Sequence, residues 1–265
     1  MKHIFACVAL AALPAHADMI AGDHIGSLPP ADVVFLGEVH DNPAHHDIQA
    51  RAIAAIGPKA LVFEMLTAQQ AAAVPDRLPL KDDLSALLDW DSSGWPDFAM
   101  YYPLFTAAPD AAVFGAGLPR DMARAAMGQP LDQVFSGDAA RFGLTDDLPA
   151  DQQEAREALQ ARAHCDALPQ DLLPGMVAIQ RLRDAMLADA ALRAVEQTGG
   201  PVVVITGTGH ARTDWGAPHL LAQAAPDLGI LSVGQFEIAV EDTPPHDYWT
   251  VTDPHPRPDP CAAFR

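Results

Sequence analysis

Three short apolar runs in this sequence end in residues that could do chemistry. Asp32-Val33-Val34-Phe35-Leu36 leads into Gly37-Glu38-Val39-His40, the run 60–63 into Glu64-Met65, and the run 202–206 into Gly207-Thr208-Gly209-His210. Two carboxylates and two imidazoles gathered at one edge would suit a divalent metal such as Mn, Fe or Zn, held by Glu38, His40, Glu64 and His210. Glu38 and His40 are two apart, so their side chains point the same way while the chain stays extended. Each residue also has a plainer reading alone: Glu64 would cap a following helix, and one G-x-x-H is a weak signal. Recurrence at three run ends is what raises them to candidates.

The flanking residues are weaker. Arg120, in Gly117-Leu118-Pro119-Arg120, is placed to hold an anionic group by a bidentate contact. His45 and His46 either line the site or, the plainer reading, form a solvated helix face. Cys165 and Cys261 either pair or remain thiols; spacing does not choose between these. There is no G-x-S-x-G nucleophile turn, and Gly207-Thr208-Gly209 lacks the third glycine of a dinucleotide fingerprint.

Strands buried on both faces position such ends best. Continuous apolar runs at 32–36, 60–63, 202–206 and 229–233, with a weaker one at 111–114, predict a mostly parallel sheet covered by helices. In such an α/β fold ligands bind beyond the carboxyl ends of the strands. Asn42-Pro43 starts a helix that Gly57-Pro58 stops. Ala-rich stretches at 151–165 and 175–198 predict long helices, and a further one falls near 218–225. The segment 67–109, with Trp90, Trp95, Tyr101, Tyr102 and Phe105, reads as a helical insertion over the carboxyl edge of the strands. Residues 18–252 form one domain in this reading. The Pro-rich tail 253–265 is an extended strap or disordered.

Composition narrows the partners. Lys and Arg number 16 against 35 Asp and Glu, a formal net charge of −19 that repels nucleic-acid phosphates and anionic membranes. With 49% hydrophobic residues the chain can bury a core. Residues 1–17 have the polar start, apolar run and Ala15-His16-Ala17 site of a secretory signal peptide, so a soluble periplasmic or secreted chain beginning at Asp18 is expected.

The runs LGEVHDNPAHHDIQ, VFEM, GWPDFAMYYPLF, GLPR and VVVITGTGHARTDWGAPHLL, in this order, resemble the ChaN-like haem-binding uptake proteins. These stand in a wider superfamily with the Tiki and TraB proteins. The resemblance covers about residues 30–240. It implies an exported α/β protein that binds haem for iron uptake, alone or as a homodimer, exchanging its cargo with an outer-membrane receptor or transporter. Haem would need an apolar slot, a histidine or tyrosine on iron and arginines for the propionates. The residues that fit are His40 and His210, Arg120 or Arg212, and Trp95, Tyr101, Tyr102 and Phe105 as wall, the alternative for these aromatics being ordinary core packing. The Tiki-type relatives imply an alternative: a metal-dependent hydrolase with the metal on His40, His210, Glu38 and Glu64, and Glu38 or Glu64 as the catalytic base. Departures from the family pattern are the missing lipid-attachment cysteine, Gly117 where asparagine is common, and Trp215 where tyrosine is common. Tryptophan cannot ligate iron.

Overall fold

The computed structural model describes residues 17–240, 242–259 and 261–262, so most of the expected signal peptide lies outside the described residues. Among the described residues seven strands, β1 (Asp18–Met19), β2 (Val33–Glu38), β3 (Ala60–Phe63), β4 (Ala112–Gly115), β5 (Val202–Gly207), β6 (Ile230–Phe236) and β7 (Tyr248–Val251), form one sheet. All pairings are parallel, in the order β1-β7-β6-β2-β5-β3-β4. The five apolar runs became strands β2 to β6. β7 and the two-residue β1 were not legible: neither is an apolar run, and each is held in place by its sheet neighbour.

Helix α1 (Pro43–Ile56) follows β2 as the sequence dictates. The Asn42 side chain accepts from the Ala44 N–H, and Gly57 ends the helix in the left-handed conformation, φ +60°. On the same face of the sheet lie α2 (Ala68–Ala72), α3 (Lys81–Leu87) and α4 (Phe98–Ala107), the helices of the insertion. Tyr101, Leu104 and Phe105 of α4 join Val34, Leu36, Ile53 and Phe63 in one apolar layer. The opposite face is covered by α5 (Arg120–Ala126), α6 (Leu131–Val134), α8 (Leu173–Thr198) and α9 (Ala217–Ala224), with α7 (Ala150–Ala163) packed on α8. Leu182, Ala185, Ala188 and Leu192 of α8 pack there against Val33, Phe35 and Val204.

This winding creates the crevice. After β2 the chain moves across the sheet toward β3, whereas after β5 it crosses to β6 on the other side of β2. Connections leaving adjacent strands in opposite directions open a gap beyond their carboxyl ends. Glu38 and Gly207 stand in register across that gap. The tail beyond β7 is a strap: Asn42 donates to the Asp253 carbonyl, Arg257 pairs with Asp41 at 2.7 Å and Glu237 at 2.6 Å, and Cys261 is disulfide-bonded to Cys165.

Candidate functional site

Beyond β2 the chain passes so close to the β5 turn that a Cβ on Gly37 would sit 2.8 Å from the Thr208 Cα. Glu38 is buried at the strand end, where its Oε1 lies 2.8 Å from His40 Nδ1 and accepts a 2.9 Å hydrogen bond from the Tyr101 hydroxyl. The His40 side chain is 31% exposed, and its Nε2 has no hydrogen-bond partner among the described residues. The Trp95 ring leans against the imidazole, centroids 4.8 Å apart. Burial opposes a charge on His40, but the Glu38 hydrogen bond and the nearby Glu64 push it up to about 9.

A second acid–imidazole group stands beside the first. Glu64 Oε2 accepts from the Thr206 hydroxyl at 2.7 Å and the Gly207 N–H at 2.8 Å, and Oε1 faces Arg183 at 3.6 Å and His210 at 3.7 Å. Burial works against the Glu64 charge, yet His210, His40 and these two donors pull it down to about 2. His210 is held from behind, with Nδ1 2.6 Å from Asp184 Oδ1. Burial disfavours its charged form, but Glu64 and Asp184 outweigh that and raise it. Gly207 keeps the two groups close: a Cβ there would lie 3.0 Å from His40 Nε2 and 3.8 Å from Glu64 Oε2.

The four residues thus assemble as two hydrogen-bonded groups. Among the described residues no three His, Cys, Asp or Glu side chains converge as metal ligands would. Glu38 Oε1 turns to His40 and Tyr101, Glu64 Oε2 to Thr206 and Gly207, and His210 Nδ1 to Asp184, so the side chains face separate partners instead of one common point. The divalent Mn, Fe or Zn site expected from sequence finds no support in this arrangement, nor does the hydrolase built on it.

Other expected residues divide in the same way. Arg120 is exposed and, with Glu64, Trp95 and Arg183, lines a cavity of about 300 Å³. Tyr101 is fully buried; burial and Glu38 push its hydroxyl far above the usual range, so it serves as a neutral donor to Glu38. Tyr102 donates to the Pro79 carbonyl at 3.1 Å, and Phe105 stacks on Phe63 in the core. Arg212 is gripped by Asp214 at 2.6 Å and lies over Trp215, outside that cavity.

His45 and His46 correct the sequence reading, because both are buried. His45 Nδ1 accepts the Val39 N–H and its Nε2 meets the Thr252 hydroxyl at 2.9 Å; burial holds the ring down to about 4. His46 Nε2 bonds the His40 carbonyl at 2.8 Å, and its ring meets Tyr101 edge-on. The two brace the turn that carries His40. Their signal was present in the 45-48-49-52 spacing with Ile48, Gln49 and Ala52, one helix face. Arg183 and Asp184 had no such signal, being two polar residues in an Ala-rich helix.

The family described as "Haem-binding uptake, Tiki superfamily, ChaN" matches residues 25–221, and the chain belongs to it. A solved structure titled for cofacial heme binding to ChaN of Campylobacter jejuni aligns with a TM-score of 0.64 at 21% identity. That alignment covers 86% of this chain and 89% of the other, and shows a shared fold. The type III effector HopBA1 (TM-score 0.42, 16% identity, 84% and 88% covered) and the erythromycin esterase EreC (0.42, 12%, 78% and 70%) align more loosely. None of the curated proteins matches the chain.

Proposed function

We propose that this protein binds haem for uptake at the crevice beyond β2 and β5, with His40 on the iron. The observation that carries the reading is the state of that imidazole. Its Nδ1 faces a buried carboxylate 2.8 Å away, its Nε2 is unpartnered, and a tryptophan ring flanks it. A carboxylate on the far nitrogen orients a ligating histidine and raises its basicity. Histidine is the usual proximal ligand of haem iron, and the iron would take the place of the Nε2 proton that the raised imidazole holds at neutral pH. Arg120 and Arg183 supply guanidinium groups on the adjoining cavity for propionates. The bound haem would supply the iron cargo itself, so the chain's part is to hold and release it. Membership of the haem-binding uptake family, and the heme of the Campylobacter jejuni neighbour, support the same reading. So does the signal-like start, which would send the protein to the periplasm or outside the cell. Exchange with an outer-membrane receptor or transporter then follows from an uptake role. No described helix is long and apolar enough to cross a membrane.

Haemin titrated into the chain from Asp18 onward, followed at the Soret band, tests this. The expected result is saturable binding that weakens about tenfold or more in His40→Ala. Unsaturable binding, or a His40→Ala titration superimposable on wild type, would overturn it.

A further inference from the structure

On the far side of His210 from the cavity above, α7, α8 and α9 enclose a second space of about 190 Å³. Gln152, Arg156, Arg181, Asp184, Trp215 and His219 face it. Arg156 is 9% exposed, and its Nε is buried with no partner. Its Nη2 donates to Gln152 at 2.7 Å, and its guanidinium lies 5.2 Å from the centroid of the Trp215 ring. Arg181 spends its Nη2 on the Gly143 and Asp146 carbonyls. Among the described residues neither arginine has a carboxylate within 4.0 Å, whereas Arg183, Arg193 and Arg212 each have one and Arg257 has two.

Taking a guanidinium out of water without a counter-ion is unfavourable, and the cost falls when an anion fills the gap. Burial pulls Arg156 down to about 10, with Asp184 opposing and Arg181 adding to that pull, so the group stays charged at neutral pH. Among the described residues Asp184 is the one carboxylate lining the space, and it already bonds His210. The rest of the wall is mixed: Gln152, His219 and Gln223 are polar, and Leu144, Leu148, Leu220 and the Trp215 ring form its apolar part. The volume is below the ~300 Å³ at which ordinary ligand pockets begin, which limits the occupant to a small molecule.

From this we infer that the α7–α9 space is a binding site for a small organic carboxylate. The carboxylate meets Arg156 and Arg181, and the apolar body lies along Trp215 and the leucines. A planar carboxylate matches the guanidinium fork, and an apolar body uses walls that a bare oxyanion would leave uncovered. The site is separate from the haem reading and does not depend on it.

Calorimetric titration of the chain from Asp18 with benzoate, acetate and inorganic phosphate tests the assignment. Saturable heat is expected with benzoate, weaker binding with acetate and weakest with phosphate. Arg156→Gln should weaken benzoate by about tenfold or more, with the circular dichroism of wild type. Arg156→Lys keeps the charge but loses the fork, and should weaken it as well; it serves if the glutamine variant does not fold. Phosphate binding as tightly as benzoate would overturn the organic-carboxylate assignment. Benzoate binding unchanged in a folded Arg156 variant, or no saturable heat at all, would overturn the site. Prior loading with haemin should leave the benzoate heat in place; its loss would merge this space with the haem site and overturn their separation.

Discussion

Two acid–imidazole groups stand side by side at the carboxyl end of this sheet, and they differ in one respect that decides their chemistry. His210 is closed in, with Asp184 on one nitrogen and Glu64 3.7 Å from the other. His40 is held by Glu38 on one nitrogen only; its Nε2 has no hydrogen-bond partner among the described residues, and Trp95 flanks the ring. Both follow a glycine-rich strand end, and both are raised by carboxylates. On the proposed reading, an imidazole with one engaged nitrogen and one free can ligate iron, and one with carboxylates on both sides braces the frame.

The largest effect separating the two groups should come from Glu64. Glu64→Ala leaves the Thr206 hydroxyl, the Gly207 N–H and His210 without their acceptor in a buried setting. A loss of about 3–5 kcal/mol is expected in urea unfolding. A loss below about 1 kcal/mol would show that Glu64 is not part of the frame.

Acid comes next. His45 is buried neutral beneath the His40 turn, held to about 4 against an ordinary 6.5. The unfolded chain therefore takes up this proton first as pH falls through 6.5, and stability drops by up to about 3 kcal/mol by pH 4. His246, held to about 4 by burial, adds in the same direction. His40 does not offset this: raised to about 9, its contribution is complete below pH 6.5 and is lost only as pH climbs through 9. Glu64 likewise keeps its contribution until pH falls below 4.5 toward 2. Thermal melts from pH 7 to 4 should show the decline, and His45→Gln should flatten it. An unchanged slope would remove His45 as its source.

Ligand binding should then separate the imidazoles. His40→Ala is expected to weaken haemin by about tenfold or more, and His210→Ala by no more than about twofold once folded protein is compared. Equal losses would erase the distinction drawn above. The smallest effect belongs to Tyr102, whose hydroxyl bonds only the Pro79 carbonyl. Tyr102→Phe should cost about 0.5–1.5 kcal/mol and leave haemin binding alone. A change in the Soret titration would bring Tyr102 into the site after all.

How much of this could be read beforehand depended on the range of the interaction. The strands β2 to β6 were legible because buried parallel strands are apolar along their whole length, and α1 because its cap and its stop are local. β7 was hidden, since its place comes from pairing with β6 and β1 rather than from its own residues. The strap was half legible: proline content allowed an extended tail, but the grip of Arg257 on Asp41 spans 216 residues. His45 and His46 were misread although their spacing placed them with Ile48 and Ala52, because polar residues were assumed to face water.

By itself, then, the sequence determined which chemical groups arrive at the carboxyl edge: Glu38, His40, Glu64 and His210 each end or follow a strand whose burial is written in its own side chains. Only the tertiary structure decided what those groups do there. Whether an imidazole is open or closed depends on partners far away in the chain, Asp184 on α8 for His210 and Tyr101 on α4 for Glu38. Hydrogen bonds between such distant residues leave no periodicity in the sequence, because the fold, and not the local chain, brings them together.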